Sequence, residues 1–95
     1  MTDIEITREE NETRGRFVTI VEGQEAELTF SKTNPTLIIA DHTGVPEDLG
    51  GRGIARKLVE ALVADAREKG YKVIPLCPYV KAQYQRHPEW ADVFA

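Results

Sequence analysis

The chain has 95 residues, 41% of them hydrophobic, and a formal net charge of −4. That length makes one domain, residues 1–95, with a single modest core, and the acidic balance argues against nucleic acid as the main partner. No apolar run approaches the roughly 18 residues of a membrane-crossing helix, so no membrane partner is expected. The start, Met1-Thr2-Asp3-Ile4-Glu5, lacks a signal peptide's basic start and apolar core, and a cytoplasmic monomer is expected. The single cysteine, Cys77, forms no internal disulfide and no cysteine zinc site. No HExxH or paired His/Cys spacing occurs, so no metal is expected.

In chain order, Ile4 and Ile6 alternate with Asp3, Glu5 and Thr7, a short strand pattern. Arg8 to Gly15 is charged and reads as a turn. Arg16 to Val21 is rich in β-branched and aromatic residues and reads as a second strand. Glu22-Gly23-Gln24 is a tight connection. Glu25 to Phe30 alternates strictly, with Ala26, Leu28 and Phe30 facing a core. Ser31 to Pro35 is a turn containing Asn34-Pro35. Thr36 to Thr43 is a fourth strand, apolar on both faces and hence central.

A helix follows from Ile54 to Lys69. Ile54, Ala55, Leu58, Ala61, Leu62 and Ala66 line its apolar face, and Gly70 is the expected stop. Tyr71 to Leu76 is a fifth strand, ending or splaying at Pro75. Because a helix joins strands four and five, they should run parallel as neighbours. Val80 to Arg86 is a short helix stopped by His87-Pro88. Trp90, Val93 and Phe94 pack the tail back on the body. The expected class is α/β (α+β): an antiparallel four-strand meander, a helix, a parallel fifth strand and a short C-terminal helix.

Between strand four and the long helix lies a loop with glycines at Gly50, Gly51 and Gly53. A strand, a glycine turn and a helix start form an anion site. The first helical N–H groups lack partners, the dipole adds positive charge, and glycine lets a ligand approach. Arg52, Arg56 and Lys57 cluster there, and cations at a helix start oppose the dipole unless an anion is present. No Gly-Lys-Ser/Thr follows, so the loop is not a P-loop, and the spacing is not G-x-G-x-x-G. By spacing alone, two readings stay open: a pyrophosphate cradle or a tight turn.

The residues Gly50-Gly51-Arg52-Gly53-Ile54-Ala55 resemble the acetyl-CoA pyrophosphate loop of the Gcn5-related N-acetyltransferases (GNAT). That family's pattern is Gln/Arg-x-x-Gly-x-Gly/Ala. Gly53 and Ala55 match it, and Gly50 stands where Gln or Arg is usual. The chain also resembles a compact branch of the family with His-Thr-x-Val-Pro before the loop and Pro-x-Cys-Pro-(Tyr/Phe)-Val after the fifth strand. Those motifs read here His42-Thr43-Gly44-Val45-Pro46 and Pro75-Leu76-Cys77-Pro78-Tyr79-Val80, with His87-Pro88-Glu89-Trp90 as the similar ending.

The resemblance implies a sheet that splays between strands four and five, with acetyl-CoA (or CoA) as co-substrate. Backbone groups of Thr43, Gly44 and Val45 would pair with the pantetheine arm. N–H groups of Gly51, Arg52, Gly53, Ile54 and Ala55 would hold the pyrophosphate, flanked by Gly50 and Arg56. Tyr79 would pack over the pantetheine or the core. Residues 8 to 15 leave no room for the helices that usually help hold the acceptor. That side should be open, and the amine acceptor stays unassigned.

Acetyl transfer needs a neutral amine, donors for the oxyanion and an acid for the leaving thiolate. Tyr84 matches the family's acid, or is a packed helix tyrosine. Cys77 is a candidate nucleophile at a strand end, or a buried small side chain. His42 is a candidate general base, or a strand histidine held by hydrogen bonds. Two functions follow: an acetyl-CoA-dependent N-acyltransferase, or a non-catalytic CoA-binding regulatory module. The retained Cys77 and Tyr84 favour the first; Gly50 and the missing acceptor helices favour the second.

Overall fold

The structure is a computed structural model that describes residues 5–95. Five strands form one sheet: β1 (Thr7–Glu10), β2 (Arg14–Val21), β3 (Gln24–Asn34), β4 (Leu37–Gly44) and β5 (Lys72–Pro75). Their spatial order follows the chain. The first four pair antiparallel, and β5 joins β4 in parallel. Two helices complete the fold, α1 (Ile54–Lys69) and α2 (Pro78–Arg86), with 3-10 turns at Glu47–Leu49 and Pro88–Trp90. This is the meander, helix, parallel strand and short helix expected of the sequence.

The start differs from expectation. Residues 1–4 of the expected first strand lie outside the described residues, and the strand runs over Arg8 to Glu10, read above as a turn. Tertiary contacts override the local charge pattern. The Arg8 guanidinium lies over the rings of Phe17 and Phe30, 6.0 and 5.1 Å from their centroids. On the other face Glu9 pairs with Arg16 at 2.8 Å. The turn shrinks to residues 11–13, where Asn11 Oδ1 accepts from the N–H groups of Thr13 and Arg14, each at 2.9 Å.

Glu22 and Gly23 join β2 to β3 with φ of 52° and 77°. Two positive-φ residues are what a type I′ hairpin requires, because that turn matches the twist of the strands. Strand β3 continues to Asn34, so the turn expected over Ser31 to Pro35 is confined to Pro35 and Thr36. Ser31 and Lys32 are held by pairing to Ile39 and Ile38. Between Thr29↔His42 and Phe30↔Ala40 the register shifts, leaving Asp41 as the extra residue of a bulge in β4. Ser31 Oγ donates to its carboxylate at 2.5 Å.

Helix α1 packs on β2 and β3. It buries Ile54, Leu58, Val59, Leu62, Val63 and Ala66. Val59 and Val63 belong to the buried face, while Ala55 and Ala61 lie half-buried at its margin. Gly70 stops the helix with φ of 78°, its N–H on the Ala66 carbonyl. Helix α2 begins two residues earlier than expected, because Pro78 occupies its first turn, where the missing N–H costs nothing. Trp90, Val93 and Phe94 are buried, and the tail hydrogen-bonds β5 through Val73 N–H to Val93 O and Ala95 N–H to Val73 O. No described helix is long and apolar enough to cross a membrane.

Two substitutions test this packing. Gly15 pairs with Phe30, and a Cβ there would sit 2.3 Å from Phe30 Cζ and 2.9 Å from the Glu9 carbonyl oxygen. Gly15→Ala should destabilise the fold by about 1–3 kcal/mol, as overpacking does. Leu58 is fully buried, and Leu58→Ala should cost about 2–5 kcal/mol. Urea denaturation followed by circular dichroism measures both. A wild-type midpoint for either variant would show the packing around α1 and Phe30 to be wrong.

Candidate functional site

The site begins where β5 leaves β4. Their ladder runs from Leu37↔Lys72 to Ala40↔Pro75 and stops. Pro75 has no N–H to continue it, and the Leu76 N–H turns back to the Ile74 carbonyl at 3.0 Å. One last bond, Cys77 N–H to Ala40 O at 2.8 Å, ties the strand end to β4. Beyond it, His42, Thr43 and Gly44 pair with β3 alone. A gap opens along that edge of β4, and Val45 follows it, half-buried against the core.

Cys77 lies at the head of this gap. It is the N-cap residue of α2 and is 3% exposed. Its Sγ is 3.4 Å from Thr43 Oγ1. His42 is elsewhere. Thr43 pairs with Leu28, which is buried, while His42 pairs with Thr29. Successive strand residues point to opposite faces, so the sheet separates the exposed His42 from Thr43 and Cys77. A Cβ on Gly44 would meet His42 Nε2 at 3.4 Å, which puts the imidazole beside Gly44. On the His42 side, a concavity of about 640 Å³ is lined in part by Glu9, Arg16, Thr29 and Asp41.

The glycine loop connects the gap to α1. Leu49 and Ile54, both buried, anchor its two ends. Gly50 is extended, with its N–H on the Glu47 carbonyl at 3.0 Å. A Cβ at Gly50 would lie 3.2 Å from that same oxygen. Gly51 and Gly53 have φ of 83° and 76°, and nothing lies within 4 Å of a Cβ on either. Glycine is therefore demanded by backbone angle and not by crowding. The first donor of α1 is the Lys57 N–H, to Gly53 O at 3.1 Å. Among the described residues, no hydrogen bond uses the N–H groups of residues 51–56.

The loop's charges follow the expected cluster. Gly53, the N-cap, offers no side-chain cap, and the first turn of α1 holds no acidic residue. Arg52 is ion-paired to Glu22 at the β2–β3 hairpin tip, which raises the Arg52 pKa through that hydrogen bond first and the carboxylate charge second. Arg56 Nε lies 3.3 Å from Glu60. Ala55 is half-buried.

On α2, Tyr79 is half-buried against the core. Burial raises its pKa, opposed by the positive charges of Arg56 and Arg86. Tyr84 stacks on Phe94, with centroids 4.6 Å apart and planes at 23°. Three features of this region escape a reading of the sequence: the Asp41 bulge, the Glu22 partner of Arg52 and the Phe94 partner of Tyr84. Each joins residues distant in the chain, and no local pattern marks it. Among the described residues, no group of three His, Cys, Asp or Glu is arranged to hold a metal.

A comparison with curated proteins finds no match. Residues 16–93 match the family model of the GCN5-related N-acetyl-transferases. Among solved structures, the NMR solution structure of a GCN5-like protein from Staphylococcus aureus is similar over 100% of this chain and 91% of its own. The two are 32% identical, with a TM-score of 0.71. A match over most of the sequence, and a shared fold over its whole length, have one meaning: the chain belongs to the GCN5-related N-acetyl-transferase family.

Proposed function

We propose that residues 1–95 form a single-domain, monomeric, cytoplasmic N-acyltransferase that uses acetyl-CoA to acetylate an amine. The observation that carries the reading is the unpaired run of N–H groups at residues 51–56, at a helix start with cations and no acid. Such a start is stabilised by an anion. A pyrophosphate there sends the pantetheine arm along the free edge of β4, where Thr43, Gly44 and Val45 supply backbone groups. The arm takes the place of a strand in the gap, and Tyr79 covers it. Arg52 and Arg56 add charge to the phosphates, and Gly50 keeps the approach open.

In the proposed chemistry Cys77 Sγ attacks the thioester carbonyl carbon. The new S–C bond replaces the bond to CoA, and CoA leaves as a thiol with the proton that Cys77 gives up. The amine nitrogen then attacks the Cys77 thioester; the new N–C bond replaces the S–C bond, and the proton the nitrogen loses returns to Cys77 Sγ, which regenerates the thiol. Tyr84 relays the proton of the first step: its hydroxyl gives one to the leaving sulfur and takes the one that Cys77 gives up. The burial of Cys77 means that only a group seated in the gap reaches it. A CoA-binding module without catalysis is the second reading. It is favoured by the short 11–13 turn, which leaves no helix between β1 and β2 to hold an acceptor.

Calorimetry tests the ligand. Gly53→Glu puts a carboxylate at the loop and should weaken CoA binding by roughly a hundredfold or more, as like-charge juxtaposition does. Raising the salt should weaken wild-type binding, since the contributing cations are exposed. Unchanged affinity in a folded Gly53→Glu protein would remove the pyrophosphate assignment.

Intact-mass measurement tests the chemistry. Mixed with acetyl-CoA and no acceptor, the protein should slowly gain one acetyl group on Cys77. Cys77→Ser should abolish that adduct and leave CoA affinity nearly unchanged. Transfer to an amine by Cys77→Ala at the wild-type rate would end the covalent route. CoA binding with no acetyl loss under any condition would leave the module reading.

A further inference from the structure

Glu22 is the one non-glycine residue with positive φ among the described residues, at 52°. Asn, Asp and Gly suit that place in a two-residue hairpin turn. A glutamate there costs stability, so its side chain is the feature to explain. That side chain reaches across 30 positions of sequence to accept a hydrogen bond from Arg52 Nη1. Arg52 stands between Gly51 and Gly53 in the loop whose N–H groups are unpaired. Arg56, by contrast, is paired within its own helix to Glu60. Arg52 is therefore the loop cation held from outside, by a carboxylate on the opposite hairpin. The Arg52 hydrogen bond and then its charge keep the Glu22 carboxyl below its ordinary range, so it is ionised at neutral pH.

We infer that Glu22 is a counter-anion that holds Arg52 in the free protein and competes with the ligand's phosphates for it, which sets how tightly the loop binds CoA. The inference rests on the CoA reading above. Its logic is that of product release. CoA carries the same phosphates before and after transfer, so Arg52 contacts bind substrate and product alike and do not accelerate the chemical step. Strong phosphate contacts would slow release, which limits turnover in many enzymes. A phosphate must take Arg52 from Glu22, and the ionised Glu22 then faces the bound phosphates unpaired. Both pair members are about half exposed or more, at 47% and 60%, so solvent screens the competition and the attenuation is modest.

The test is calorimetric titration of CoA into wild type, Glu22→Gln, Arg52→Gln, the double variant and Glu12→Gln at low salt. Gln keeps the length and backbone preference of Glu, so the hairpin is preserved and only charge is lost. Glu12→Gln makes the same charge change in the β1–β2 turn, away from the loop. Glu22→Gln should tighten CoA by about two- to five-fold, the scale of an exposed ion pair. Glu12→Gln should not, and the gain should vanish in the Arg52→Gln background. Equal or weaker affinity in Glu22→Gln, or a gain that persists without Arg52, overturns the inference while CoA binding stands. No CoA binding by wild type or any variant overturns the CoA reading, and this inference with it.

Discussion

One missing hydrogen-bond donor shapes the molecule. Strands β4 and β5 pair for four residues each, and Pro75 then has nothing to offer the next carbonyl of β4. The Leu76 N–H folds back on Ile74, and the chain enters α2 through Cys77. From His42 to Gly44, β4 is a strand with one partner. An unpaired strand edge inside a sheet is a demand for hydrogen bonds, and an extended ligand satisfies it as well as another strand. The same proline places the only thiol at the head of that gap, beside the Thr43 hydroxyl.

The glycine loop makes a second demand at the other end of the same edge. Two left-handed residues, Gly51 and Gly53, leave their N–H groups without a partner among the described residues, and α1 starts without a side-chain cap. Helix α1 is well matched to its dipole at the far end, where Arg67 and Lys69 occupy the last turn. At its start, Arg56 and Lys57 are mismatched. In the proposed reading, one extended ligand with an anionic end answers both the electrostatics of α1 and the hydrogen bonding of β4.

Much of this could be read in the sequence. The glycine loop, Gly70 and the apolar repeat from Ile54 to Ala66 mark α1 to the residue, because caps and turns depend on backbone angles that few residues adopt. Pro75 announced the end of β5 for the same reason. Long-range effects were harder to see. Arg8 to Glu10 are too charged to suggest a strand, yet Arg8 finds two aromatic rings and joins the sheet edge. Strand β3 runs through a turn-like Ser31 to Asn34 because β4 pairs with it. The bulge at Asp41 depends on the register of two strands and has no signature in either. His42 and Cys77 look like partners in a list of reactive residues, but the alternation of β4 puts them on opposite sides of the sheet.

A loop with two left-handed residues, unpaired N–H groups and misplaced charge has little of its own to hold it in shape. Its order comes from what stands on either side. Leu49 is buried at 1% exposure and Ile54 at 4%, so both loop ends are fixed in the core within six residues. The Glu22 hairpin steadies Arg52 from across the sheet. On the other wall of the gap, Cys77 N–H is bound to Ala40, and the C-terminal tail bonds to Val73 on the outer side of β5. With β5 bound to β4 on one side and to the tail on the other, the gap cannot close by letting β5 slide. Rigid walls around unpaired donors are what keep the ordering cost of binding low. The strain of the loop and the open strand edge are thus local, and the stability that tolerates them lies in the buried contacts of α1 and the tail.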